Sequence, residues 1–166
     1  MIKFEKVSFE QWKKDFEHMD YPIAYRKEVY DDLTMPKRTT IKSAGYDFCA
    51  PHSFTIEPGE IKWIYTGFKV YMNPNMFLGI YPRSGLGAKH GIVLANTVCI
   101  VDADYVDNQD NEGHIIIPLK NTSNKIFVFH RNDRFAQGIF QTYSTVENED
   151  VHQMKIRSGG FGSTGK

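Results

Sequence analysis

Neither sign of charge predominates in this chain. Lys plus Arg and Asp plus Glu number 20 each, so the formal net charge is zero. That balance removes the basic face expected of a general nucleic-acid binder, while leaving room for one focused anion site. Cysteine is scarce: Cys49 and Cys99 stand far apart, with neither a disulfide framework nor a CxxC metal pattern. Both are expected to be buried thiols in a reducing compartment. No run approaches the roughly 18 apolar residues of a membrane span, and Met1 to Lys6 lacks the apolar stretch of a signal peptide. The expectation is a soluble, cytoplasmic protein that binds neither membrane nor nucleic acid. The six histidines are scattered and no pair has the HExxH spacing of a zinc site. Neither cysteine sits in a nucleophile's context, so a covalent intermediate has no candidate.

What is present suits one domain of 166 residues, 41% hydrophobic. The chain divides into three stretches. Residues 1–36 form a helical extension: Ser8 and Gln11 make a capping box, and Phe9, Trp12, Phe16 and Met19 recur at helical spacing, predicting a helix over 8–19 with one apolar stripe. Such a stripe is usually a packing face, the alternative being a face that docks a partner. Residues 37–153 read as β: short runs rich in β-branched and aromatic residues at 62–66, 68–71, 76–81, 114–119 and 125–129, divided by turns such as Glu57-Pro58-Gly59-Glu60. Many short strands without intervening helices predict a sandwich or a barrel, and periodicity does not choose between them. Residues 154–166 are Gly- and Ser-rich, too small to order themselves, and are expected to be a flexible lid that folds over a ligand.

Three segments carry candidate chemistry. Tyr81-Pro82-Arg83-Ser84-Gly85-Leu86 follows a strand and enters a short helix. A helix start favours anions, Arg83 can fork onto phosphate oxygens and Ser84 can donate to them. Ile100-Val101-Asp102-Ala103-Asp104-Tyr105 places an acidic pair after an apolar strand, where the two carboxylates would share a face. Beside a bound triphosphate, one of them suits a general base. The run on to Glu112 lacks the glycine that a calcium loop needs at its sixth position. Gly160-Phe161-Gly162-Ser163-Thr164-Gly165-Lys166 imitates the start of a P-loop but has no following helix. Ser163 and Thr164 could still wrap a phosphate, and Phe161 could stack on a base.

Taken together, these pieces resemble the trimeric dUTPase family over residues 38–166. Ser43-Ala44-Gly45-Tyr46-Asp47-Phe48 is similar to its first motif and Pro82-Arg83-Ser84-Gly85-Leu86 to its second. Residues 96–105, Asn132-Asp133-Arg134-Phe135-Ala136-Gln137 and residues 159–165 resemble the third, fourth and fifth, in order and at the expected spacing. The resemblance implies an all-β fold, a β-clip or jelly-roll barrel, and a homotrimer with shared active sites that splits dUTP into dUMP and pyrophosphate with Mg²⁺. Such an enzyme limits uracil in DNA and supplies dUMP for dTMP synthesis. It implies Asp102 as the general base, Tyr105 against the deoxyribose, and Asn96 with the backbone near Ile100 reading uracil. Arg83, Ser84, Gly85 and Gln137 would hold the phosphate chain, with Asp47 positioning Mg²⁺ through water. Arg157, Ser163 and Thr164 would grip the γ-phosphate, and Phe161 would cover the base.

Three departures stand out. Arg157 lies four residues before Phe161, one fewer than is common in the family. Residues 106–112 are inserted after Tyr105, and residues 1–35 have no counterpart in the motifs; either could serve a protein partner. The nearest rival reading is a dCTP deaminase, which shares the fold, but Phe161 in the tail and the Asp102 segment fit pyrophosphate release better. A nucleotide-gated interaction protein is compatible with the enzyme. A carbohydrate-binding sandwich leaves the five motifs unexplained.

Overall fold

The computed structural model describes residues 1–17, 23–150, 154, 157, 159 and 160. Its spine is an antiparallel pair, β6 (Met76–Pro82) against β11 (Arg134–Thr142), in register from Met76↔Thr142 to Pro82↔Ala136. Leu78 and Ile80 point to one face of β6 and are fully buried, as the period of two requires. With β2 (Tyr46–Cys49) and β8 (Cys99–Asp102), this pair makes a four-stranded sheet in the order β2-β11-β6-β8.

Three smaller antiparallel sheets enclose the same core. One is β4 (Ile61–Tyr65), β9 (Ile116–Asn121) and β7 (Ile92–Leu94), with β9 central. The others are β3 (Phe54–Ile56) with β10 (Phe127–Phe129), and β1 (Lys3–Lys6) with β5 (Phe68–Tyr71). Phe48, Ile56, Ile117, Leu119, Phe129 and Phe135 fill the space between. The fold is therefore all-β, of the barrel-like kind, in four small sheets rather than one closed sheet. The runs expected at 114–119 and 125–129 enter their strands two residues later, at Ile116 and Phe127. No helix among the described residues is long and apolar enough to cross a membrane.

The N-terminal stretch builds a second, smaller core. Helices α1 (Phe9–Asp15) and α2 (Ile23–Asp31) bury Val7, Trp12, Phe16 and Val29 against Tyr65 of β4. The apolar stripe is thus a packing face: Trp12 and Phe16 are 0% and 2% exposed. The helix expected over 8–19 stops at Asp15, with Phe16 as its C-cap, and Met19 lies outside the described residues.

The capping box is only half formed. Ser8 Oγ accepts the Gln11 N–H at 3.1 Å, but Gln11's amide turns to Asp15 at 2.9 Å. The reciprocal place is taken by Glu112, whose carboxylate accepts the Ser8 N–H at 2.9 Å and the hydroxyl at 2.5 Å. A carboxylate is the stronger acceptor and suits a helix N-terminus. Ser8→Ala removes both the cap and one arm of this link. It is expected to cost about 1 kcal/mol and lower Tm by about 2–4 °C, read by thermal unfolding; an unchanged Tm would show the cap to be idle.

His114 completes the join between the two cores. It is wholly buried; its Nδ1 meets Asp15 Oδ2 at 2.5 Å, and its Nε2 accepts the Gly67 N–H at 2.7 Å. That second bond requires a bare nitrogen, so Nδ1 carries the hydrogen and donates it to Asp15.

Candidate active site

The alternation along β8 sets one half of the site. Cys99 and Val101 are buried, whereas Ile100 and Asp102 face outward. Ile100, at 51% exposure, presents an apolar surface beside the Asp102 carboxylate. Burial pushes the Cys99 thiol above its ordinary pKa, keeping it protonated and inert.

After Asp102 the chain does not continue as a strand. Ala103–Tyr105 winds into a 3₁₀ turn, so Asp104 does not share a strand face with Asp102 as the sequence suggested. The two carboxylates are joined instead by one guanidinium. Arg157 donates from Nη2 to Asp102 Oδ2 at 2.7 Å and from Nε to Asp104 Oδ1 at 2.9 Å. The turn also carries Tyr105 back inward. Its hydroxyl donates to the His114 carbonyl at 3.1 Å and accepts from Asn111 Nδ2 at 2.8 Å. Burial raises the Tyr105 pKa, so it stands as a neutral, doubly anchored ring.

These side chains frame a cavity of about 140 Å³, bounded by Ile100, Asp102, Tyr105, Ile115 and Arg157. That is the size of a space that takes one six-membered ring. A wider cleft of about 440 Å³, lined by Pro74 and Tyr143, also borders Asp102 and Arg157. Asp102 therefore lines both a ring-sized pocket and an open cleft. Asn96 sits in the exposed turn that carries the chain from β7 to β8, where its side chain reaches the Cys99 thiol. It does not border the cavity.

The other half of the site gathers around Asp47 on β2. Its carboxylate is 12% exposed and lies between Arg83 Nη1 at 2.9 Å and Arg134 Nη1 at 3.1 Å, with the Thr39 hydroxyl donating at 2.7 Å. The sequence puts Arg134 in the fourth motif but assigns it no role; its nearness to Asp47 comes from the β2–β11 pairing. Gln137 lies directly opposite Asp47 in that pairing. Gly45 leaves room for the Gln137 amide in its present position, since a Cβ there would stand 2.4 Å from Gln137 Oε1. Arg83 leads into helix α3 (Ser84–His90), so Ser84 and Gly85 occupy its first turn, with open space around Gly85. Burial and the neighbouring Asp47 raise the Cys49 pKa, leaving it a thiol.

The two halves do not meet within one chain. Asp102 pairs with Phe77 at one end of β6, and Arg83 follows Pro82 at the other. At about 3.3 Å per residue the six positions between Phe77 and Arg83 span about 20 Å. Phe161, Ser163 and Thr164 lie outside the described residues. Among the described residues, no three His, Cys, Asp or Glu side chains converge as a metal cage.

Comparison with known proteins matches residues 31–165 to the dUTPase family model. The deoxyuridine 5'-triphosphate nucleotidohydrolase of Lactococcus lactis is 41% identical over 133 residues, covering 80% of this chain and 89% of that protein. The dUTPase crystal structure from Streptococcus mutans superposes with a TM-score of 0.69 at 32% identity, covering 87% of this chain and 98% of that one. A mutant dUTPase from phage phi11 of S. aureus, described with a structural Mg(II) ion, superposes at 0.65 with 18% identity over 93% of this chain and 99% of that one, which speaks for the fold alone.

Proposed function

The chain belongs to the dUTPase family, and from that premise we propose that it hydrolyses dUTP to dUMP and pyrophosphate, with Asp102 taking a proton from the attacking water. The observation that carries this reading is the position of Asp102: it borders both a pocket for one ring and a wider open cleft. Phosphoanhydride hydrolysis needs positioning and charge neutralisation more than covalent chemistry, which agrees with two inert thiols.

In this reading the base lies against Ile100, with the backbone near Ile100 reading uracil, Asn96 steadying that hairpin from beside Cys99 rather than touching the base, and Phe161 closing over it. The deoxyribose packs on Tyr105, whose hydroxyl is tied on both sides and cannot swing away to admit a 2'-hydroxyl. Water attacks the α-phosphorus in line, and its proton passes to Asp102. For that, Asp102 must be released from Arg157. The triphosphate supplies the reason: its γ-phosphate offers the guanidinium a denser anion than the paired carboxylates. Ser163 and Thr164 would hold the same phosphate.

Arg83, Ser84, Gly85 and Gln137 hold the phosphate chain, and they come from another copy. The span of about 20 Å along β6 supports this, because no single chain brings Asp102 and Arg83 to one α-phosphate. We take the assembly to be the homotrimer with shared sites that the family resemblance implies.

Mg²⁺ fits this donor set as an ion carried by phosphate oxygens. Asp47 is already claimed by two guanidiniums, so it suits a contact through water rather than direct coordination. When bound, the ion draws charge from the phosphate oxygens. The chain's own groups do the rest: Arg83 and Gln137 orient, and Asp102 moves the proton.

The deciding experiment measures pyrophosphate and ammonia from each deoxynucleoside triphosphate, with Mg²⁺ and with chelator. The expected result is Mg²⁺-dependent pyrophosphate from dUTP only. Ammonia from dCTP would instead identify a deaminase, and no product from dUTP would end the reading.

A further inference from the structure

His114 belongs to two neighbourhoods at once. Its ring lies in the smaller core, 6.1 Å from the Trp12 ring and 5.7 Å from the Tyr65 ring. Its backbone lies in the wall of the ring-sized cavity: the His114 carbonyl accepts from the Tyr105 hydroxyl, and the next residue, Ile115, borders the cavity. Whatever turns the ring therefore also moves the group that holds Tyr105.

The ring is tied at both nitrogens. Nε2 accepts from Gly67, in the turn between β4 and β5, and Nδ1 donates to Asp15. The His114 N–H donates to the Asn111 carbonyl at 2.9 Å. Asn111, the second anchor of the Tyr105 hydroxyl, lies in residues 106–113. The extension reaches that loop too, through Ser8 at Glu112 and through Lys14 Nζ, which donates to the Asp110 carbonyl at 3.1 Å.

Asp15 runs against its local setting. It is the last residue of α1, where the helix dipole favours a cation and opposes a carboxylate. Its side chain is also only 13% exposed, so it has lost most of its water. Its compensation is tertiary: Gln11 Nε2 donates to the carboxylate at 2.9 Å, and the wholly buried His114 meets it. A residue that breaks a local rule in this way marks a strained or functional position.

We propose that Asp15 is a positioning residue for sugar selection: through His114 it fixes the hydroxyl of Tyr105, and with it the wall that shuts out a 2'-hydroxyl. The N-terminal extension, outside the family motifs, would then take part in substrate choice. Asp15 itself touches no nucleotide. The proposal rests on the dUTPase reading, in which Tyr105 packs on the deoxyribose. Without the carboxylate, the Nδ1 hydrogen faces a dry space with no acceptor, a costly state that the ring escapes by turning. Turning gives up the Gly67 bond, shifts the carbonyl and lets Tyr105 give way to a ribose.

The quantity to measure is the ratio of kcat/KM for UTP to that for dUTP, from pyrophosphate release. Asp15→Ala is expected to raise it about tenfold, the worth of one hydrogen bond to a charged group. Asp15→Asn keeps a neutral acceptor, about half as strong, and is expected to raise it about threefold. Val29→Ala opens a cavity in the same small core without touching the His114 bonds; it should lower Tm and leave the ratio at the parental value. An unchanged ratio in Asp15→Asn overturns the proposal, even if Asp15→Ala does not fold, and so does an equal rise in Val29→Ala. Amide hydrogen exchange reads the brace without nucleotide. The Gly67 amide is expected to exchange about threefold faster in Asp15→Asn than in the parent, in line with the same weakened bond; an equal rate overturns the brace. If the parent releases no pyrophosphate from dUTP, the function reading fails, and the exchange comparison still decides whether Asp15 holds His114.

Discussion

Asp102→Asn is expected to bind dUTP with nearly parental affinity and to turn it over at least about a hundredfold more slowly. The amide keeps the shape of the carboxylate and one oxygen that can accept from Arg157, so the pocket walls formed by Ile100 and Tyr105 stay in place. What the amide cannot do is take a proton from water. Titration calorimetry with a non-hydrolysable dUTP analogue separates the two effects: affinity held and turnover lost is the expected pair. Asp104→Asn serves as the control. Asp104 shares Arg157 but is 58% exposed and lies on the 3₁₀ turn, so its loss should change turnover only a few-fold. Parental turnover in Asp102→Asn would remove the proposed base from the mechanism.

The second large effect is expected from ending the chain after Gln153. This deletes Arg157 and the Gly160 contact with Asp110. It also deletes Phe161, Ser163 and Thr164, the groups assigned to the base and the γ-phosphate. Turnover is expected to fall about a hundredfold or more, as the closed site loses its water exclusion and its phosphate grip. Stability should hardly move. The lost ion pairs join half-exposed carboxylates, a kind of pair that contributes at most about 1 kcal/mol, and among the described residues neither hydrophobic core includes one beyond Ala136 other than the partly buried Phe140. A Tm within about 3 °C of the parent, together with the kinetic loss, is the expected outcome. A truncated chain that unfolds in step with its loss of activity would falsify the assignment of these residues to catalysis.

The sequence was most readable where one rule acted alone. The period-two alternation of Cys99, Ile100, Val101 and Asp102 was enough to turn Asp102 outward. The turn residues after Pro82 were enough to predict the short helix at Ser84. Where the chain's course depended on distant partners, local pattern failed. Asp104 leaves the strand because Tyr105 must return inward to its two hydrogen bonds, one of them from Asn111. The stretch over Ile23–Asp31 buries only Val29, too thin a stripe to announce a helix. β1 pairs with β5 across 62 to 68 residues, and Ser8 finds Glu112 across 104. Arg134 reaches Asp47 only once β2 and β11 lie side by side. The motif resemblance gives the two halves of the proposed site an order along the chain, but that order does not tell that Asp102 and Arg83 end up at opposite ends of β6.

The link from Ser8 and Lys14 to Glu112 and Asp110 bears on how this protein could have diverged from its shorter cousins. A chimera that receives residues 106–113 without the leading helices would carry a strip of polar backbone with half of its supports missing. One that receives the helices alone would expose the Ser8 amide at a helix start with no acid to meet it. Each half leaves polar groups unmet without the other, so an exchange between such chains is expected to work only when both are moved together, although Ser8 and Glu112 stand 104 residues apart.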